Sequence, residues 1–182
     1  MLEKIILAGF GGQGIMFLGK LLCTTLMNEG KHVTYIPSYG AEQRGGTANC
    51  HVVLSSKPVG SPMVEKATIV VAMNQPSYEK FKKYVQDGGL LITNKSMVEL
   101  KDPPKNAVIL EIPATDMASK IGDVRLANMI ILGALLAKKN FTAAEKFYEQ
   151  FAHFLTGKKA ALIDKNKQAV EEGKQHTINI NK

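Results

Sequence analysis

The stretch Gly9-Phe10-Gly11-Gly12-Gln13-Gly14 constrains the fold more than any other part of this chain. It follows the short apolar run Lys4 to Ala8 and precedes apolar residues at helical spacing: Ile15, Leu18, Leu22 and Leu26. Gly30 is a helix stop, His32 to Ile36 is strand-like, and Pro37 ends that strand. A strand, a glycine turn, a helix and a second strand are the opening of a parallel α/β sheet. Glycines allow a tight turn and close backbone approach to a ligand, whose negative charge the following helix start favours.

The rest of the chain continues this pattern. Asn49 to Ser55 and Ala67 to Met73 are strand-like, the latter a continuous apolar run expected of a strand covered on both faces. Gln75 to Gln86 is an amphipathic helix with Tyr78, Phe81 and Val85 on one side. Strands follow at Leu90 to Thr93 and Ala107 to Ile112. From Ala114 the chain turns helical, with segments to Ile121, over Val124 to Lys138, Ala143 to Leu155 and Lys158 to Glu172, and a short polar tail from Thr177. No repeat or linker divides it, so residues 1–182 are expected to form one domain. The expected class is α/β: a Rossmann-like, three-layer, mostly parallel sheet with helices on both faces and a helical C-terminal part.

Composition narrows the functions. The 23 basic and 16 acidic residues give a net charge of +7, but the excess is spread along the chain. Trp is absent, and Tyr and Phe do not interleave with the lysines, which argues against nucleic-acid binding. The longest apolar run, Leu126 to Ala137, is too short to span a bilayer. Two cysteines rule out a disulfide framework, and no signal peptide is evident, so the expectation is a soluble cytoplasmic protein. Among the basic residues only Arg44 and Arg125 are arginine, which singles out positions where a planar fork is needed.

The glycine loop matches the dinucleotide fingerprint, but the second strand ends Thr34-Tyr35-Ile36-Pro37-Ser38, without the acid that holds ribose hydroxyls. A stand-alone nucleotide-binding Rossmann oxidoreductase is therefore the alternative, weakened by that absence. A flavin domain of flavodoxin type is weakened because Gly11 to Gly14 contains no Ser or Thr. The second unusual stretch is Ser38 to Cys50, which gathers Tyr39, Glu42, Gln43 and Arg44 before Gly45 and Gly46. It follows the second strand and so falls at the same carboxyl rim as the first loop. Either it is a surface loop tied by Arg44, or Arg44 clamps an anion or a partner's carboxylate while Gly45 and Gly46 allow close approach.

Catalytic and metal motifs are missing. His32, His51, His153 and His176 have no metal spacing, Cys50 and His51 point to opposite faces of a strand, and Cys23 reads as core. No Cys series could ligate an iron–sulfur cluster. The helix from Arg125 to Leu136 is apolar nearly all round and so buried on both sides; Gly133 and Ala134 permit close backbone approach, and Arg125 and Asn128, one turn apart, either present a polar end toward a loop or are solvated at the helix start.

Three stretches together carry a resemblance: Ala8 to Gly14, the Ser38-Tyr39-Gly40 to Arg44-Gly45-Gly46-Thr47-Ala48-Asn49-Cys50 loop, and Asn128 to Leu135 around Leu132-Gly133. The chain resembles the gamma subunit of the 2-oxoacid:acceptor (ferredoxin) oxidoreductases, over about residues 1–155. The Arg44 loop is worded most like the 2-oxoglutarate and branched-chain members. The resemblance implies a complex that uses thiamine diphosphate, Mg, iron–sulfur clusters and coenzyme A, with none of these bound by this chain alone. It implies alpha, beta and delta-type subunits as partners, ferredoxin through the complex, and a possible homodimer when isolated. No catalytic residue is expected in this chain. The coenzyme A or partner interface would comprise Gly9, Gly11, Gly12, Gln13, Gly14, Tyr39, Glu42, Gln43, Arg44, Gly45, Gly46 and Asn128.

Overall fold

The computed structural model describes residues 1–39 and 47–180. Its strands are β1 (Leu2–Phe10), β2 (His32–Tyr39), β3 (Thr47–Ser55), β4 (Ala67–Ala72), β5 (Val85–Asn94) and β6 (Val108–Ile112). Its helices are α1 (Ile15–Asn28), α2 (Gln75–Phe81), α3 (Ala114–Ile121), α4 (Ala127–Lys138), α5 (Ala144–Phe154) and α6 (Ile163–Asn179). The sheet order is β2-β3-β1-β4-β5-β6. Strands β1, β4, β5 and β6 pair in parallel, as the apolar runs predict.

The opening differs in one respect from the expected parallel pair. Strand β2 is not a neighbour of β1, because β3 lies between them and is antiparallel to both. Burial gives the reason. Strand β3 is buried almost throughout, with Cys50, Val52 and Leu54 in one core and Val53 in the other, which suits an inner position. Strand β2 carries Pro37, which has no N–H to donate, and is exposed over its last four residues, which suits an edge.

The two faces of the sheet are covered unequally. Ile5, Leu7, Val52, Leu54, Ile69, Val71 and Ile92 pack beneath α1, α3, α4, α5 and α6 in the larger core. Ile6, Ala8, Val53, Val70 and Leu91 pack on the other side against Tyr78 and Phe81 of α2 and against Val59, Val64 and Val98 from loops. Helix α4, buried along most of its length as its all-round apolar sequence requires, crosses α6 at two glycines. A Cβ on Gly133 would strike the Val170 carbonyl, and one on Gly173 the Ile130 carbonyl, so the helix backbones touch there.

Several boundaries shift. Helix α2 stops at Phe81 and a 3-10 turn at Lys82–Tyr84 replaces its predicted end, so Val85 already belongs to β5. The segment read as a short polar tail from Thr177 is helical to Asn179, and Thr177 is buried, donating from its hydroxyl to the Gly173 carbonyl at 2.9 Å. Among the described residues no helix is long and apolar enough to cross a membrane.

Candidate functional site

Parallel pairing brings the carboxyl ends of β1, β4, β5 and β6 to one edge, and the end of β2 and start of β3 meet the same edge through the pairs Tyr39↔Ala48 and Phe10↔Thr47. The glycine loop crosses this edge between β1 and α1. Gly14 caps α1 in the left-handed region, φ 71°, and no side chain caps the first turn. Gly12, at φ 109°, is exposed, and a Cβ there would meet nothing within 4 Å. Gly9 lies beneath, where a Cβ would come within 2.7 Å of Gln13 Oε1. The loop thus presents bare backbone outward over a filled underside.

That underside is held by carboxamides. Gln13 Oε1 accepts from the Phe10 N–H and from Asn74 Nδ2, both at 3.0 Å. Gln13 Nε2 donates to the Met73 carbonyl at 3.1 Å and to Met97 Sδ at 3.4 Å. Asn74 also caps α2, its Oδ1 accepting from Ser77 N–H at 2.9 Å. The Met73 carbonyl takes a second bond from Asn94 Nδ2 at 3.3 Å, and Asn94 ties Thr115 at the start of α3. Asn128 of α4 donates to the Gly14 carbonyl at 3.2 Å and fills the space a Gly14 side chain would need. Asn74, Asn94 and Asn128 are all buried, so the ends of β1, β4 and β5 and the starts of α1, α3 and α4 are joined by satisfied polar contacts.

Two shallow grooves flank the loop. One, about 320 Å3, is lined by Gly9, Phe10, Thr47, Asn74, Gln75, Pro76 and Met97. The other, about 230 Å3, runs past Phe10, Gly12, Gln13, Met97 and Thr115 to Arg125. Arg125 is exposed and forked onto Asp123, with Nε at 2.9 Å from Oδ1 and Nη2 at 2.7 Å from Oδ2. That pairing holds the Asp123 carboxyl below its ordinary range.

The remaining candidate groups are structural. Cys23 and Cys50 are both buried in the larger core, and burial pushes the Cys23 thiol up to about 12 and Cys50 upward as well. His51 lies on the opposite face from Cys50, edge-to-face with Phe81, its ring centroid 6.5 Å away. Burial, and then the charge of Lys80, lower its pKa. Among the described residues no group of three or more His, Cys, Asp or Glu could hold a metal ion. Buried core thiols of this kind are poor ligands for an iron–sulfur cluster.

Of the residues singled out in the sequence, Gly9, Gly11, Gly12, Gln13, Gly14 and Asn128 come together, and Tyr39 ends β2 at the same edge. Glu42, Gln43, Arg44, Gly45 and Gly46 lie outside the described residues. Sequence reasoning missed Asn74, Asn94, Met97 and Thr115. One signal was present: Asn74 directly precedes Gln75-Pro76, an N-cap followed by an early-turn proline.

Comparison with known proteins agrees with the resemblance read from the motifs. Residues 4–176 match the family model described as pyruvate ferredoxin/flavodoxin oxidoreductase. The chain is 36% identical over 170 residues to the ketoisovalerate oxidoreductase subunit VorA of Methanothermobacter thermautotrophicus, covering 93% of this chain and 35% of that protein. It is 35% identical over 150 residues to the 2-oxoglutarate synthase subunit KorC of Methanocaldococcus jannaschii, covering 80% of this chain and 79% of the relative. The chain thus spans about a third of the VorA subunit and about four-fifths of KorC. The fold is shared with the 2-oxoglutarate:ferredoxin oxidoreductase of Magnetococcus marinus, whose structure holds 2-oxoglutarate, coenzyme A and succinyl-CoA. The TM-score there is 0.86 at 24% identity, over 98% of this chain and 31% of that one. The chain belongs to the pyruvate ferredoxin/flavodoxin oxidoreductase family.

Proposed function

We propose that this chain is the gamma-type component of a multi-subunit 2-oxoacid:ferredoxin oxidoreductase. In that complex it supports coenzyme A-dependent oxidative decarboxylation of a 2-oxoacid to an acyl-CoA, with ferredoxin taking the electrons. The chain is non-catalytic by itself and acts from the cytoplasm. Alpha, beta and delta-type partners supply thiamine diphosphate, Mg and the iron–sulfur clusters. The 2-oxoacid is 2-oxoglutarate or a branched-chain acid, the two substrate classes named for its relatives KorC and VorA.

The observation that carries this reading is the glycine rim: bare, exposed backbone at Gly12, a first turn of α1 with no side-chain cap, and an underside locked by Gln13, Asn74 and Asn128. A surface that must close over a phosphorylated coenzyme needs preorganised donors and close approach, and this edge has both. Arg44, outside the described residues, is the cation this reading expects to contribute. Tyr39, at the end of β2 and 65% exposed, is available to a partner.

The test is an anaerobic, low-salt pull-down of the tagged chain from its native cell, with dye reduction assayed against a panel of 2-oxoacids plus coenzyme A. Larger partner chains with coenzyme A-dependent activity are the expected result. A lone 20 kDa chain without activity would overturn the reading.

A further inference from the structure

Of the eight methionines, Met1, Met27, Met63 and Met97 are exposed, and among the described residues only the Met97 sulfur of these four accepts a hydrogen bond. Its donor is Gln13 Nε2, at 3.4 Å, and that carboxamide also holds the Met73 carbonyl, the Phe10 N–H and Asn74. Met97 is 39% exposed and lines both grooves beside the glycine loop, so a small solute reaches its sulfur. Its backbone is fixed. The Met97 N–H donates to the Asn94 carbonyl at 2.8 Å, and the next residue, Val98, is buried in the smaller core. An exposed, polarizable thioether is thus tied to the residue that locks the underside of the loop.

We propose that Met97 is an oxidative modification site whose substrate is a hydroperoxide, and that its sulfoxide unlocks the glycine loop through Gln13. The thioether attacks the outer oxygen of the peroxide; the O–O bond breaks, an S–O bond forms, and the remainder leaves as water or an alcohol. Sulfur loses two electrons and the peroxide gains them. A thiol-dependent sulfoxide reductase reverses the change, releasing the oxygen as water. At 3.4 Å between the Gln13 nitrogen and the Met97 sulfur no oxygen fits on the line between them, since an N–H···O bond alone needs about 2.9 Å. Because the Met97 backbone is pinned, the bulkier, polar side chain displaces the Gln13 carboxamide rather than the turn. Rotation of that carboxamide breaks its bonds to Met73, Phe10 and Asn74 together. Oxygen at Met27 or Met63 has no such route, since neither sulfur is bonded to another of the described residues. The site needs no partner or cofactor, so it stands whether or not the function proposed above does.

The test is mild hydrogen peroxide treatment of the full chain, dosed so that the fully buried Met73 and Met129 stay reduced. Peptide mass mapping follows oxygen at each methionine, and amide resonances follow Phe10 and the Gln13 carboxamide. Oxidation at Met97 should shift both and lower the thermal midpoint by about 2–4 °C, and a sulfoxide reductase with thiol should return them. Met97→Leu keeps the size without the sulfur; there the same dose should oxidise Met27 and Met63 and leave Phe10 and Gln13 unmoved. A double variant, Met27→Leu with Met63→Leu, should respond like wild type. All three substituted methionines are exposed, so these variants keep the fold. Complete oxidation of Met97 with Phe10 and Gln13 unmoved would overturn the proposal. So would equal shifts in Met97→Leu, or a Met97 that stays reduced while Met27 and Met63 are oxidised.

Discussion

Gly14 combines two requirements, a left-handed backbone and a space already taken by the Asn128 carboxamide. Gly14→Ala should therefore cost about 1–3 kcal/mol, read as a shift of the denaturation midpoint. Adding Asn128→Ala should recover only part of this, because it frees the space but not the φ strain; full recovery would show that φ matters little here. Gln13 poses a chemical demand instead. Gln13→Glu keeps an oxygen for Phe10 and Asn74 but turns an oxygen onto the Met73 carbonyl where a donor stood. The expected loss is about 2–3 kcal/mol, larger than for Glu at an exposed site. His51 makes stability depend on pH. Its folded pKa is lowered from the ordinary 6.5 by burial and then by Lys80, so the folded state prefers the neutral ring. Its contribution is present above the unfolded pKa and is lost as pH falls through the folded one. Urea midpoints should drop between pH 7.5 and 5.5, and His51→Gln should shrink that drop. At this scale the sequence singled out Gly14, Gln13 and Asn128, whereas only the fold shows Asn74 and Met73 within reach of the Gln13 carboxamide.

Helices α4 and α6 meet backbone to backbone at Gly133 and Gly173. Each glycine faces a carbonyl on the other helix, and backbone cannot step aside as a side chain can. Gly133→Ala and Gly173→Ala should each destabilise by about 2–4 kcal/mol, with the double variant falling short of the sum once the first has pushed the helices apart. Equal midpoints for wild type and either variant would refute the contact. Gly133 was legible in the sequence, since a small residue inside an apolar helix marks close approach. Gly173 was not, because it lies in a polar stretch, Glu171-Glu172-Gly173-Lys174, that reads as a solvated face. The strands divide the same way. The apolar run at Ala67 fixes an inner parallel strand by itself, whereas the seat of β3 between β2 and β1 depends on non-local pairing that no periodicity encodes.

Across the whole molecule, α6 closes the larger core, burying Ala169 and Val170 against α4. A chain ended at Leu162 should bare the apolar face of α4 and come out of the cell insoluble; a soluble, cooperatively melting product would contradict this. Local chemistry in the sequence determined that this chain is an α/β protein with a glycine rim at the carboxyl edge of its sheet. It did so because glycine, proline and apolar spacing act over a few neighbouring residues. The tertiary structure alone decided the antiparallel strand seated between β2 and β1, the unequal covering of the sheet's faces, and the Gln13–Met73–Asn94–Thr115 chain beneath the rim. Those depend on groups 20 to 60 residues apart in sequence meeting at one edge. A carboxamide's partner is set by where the strands end, and strand order is a property of the whole sheet.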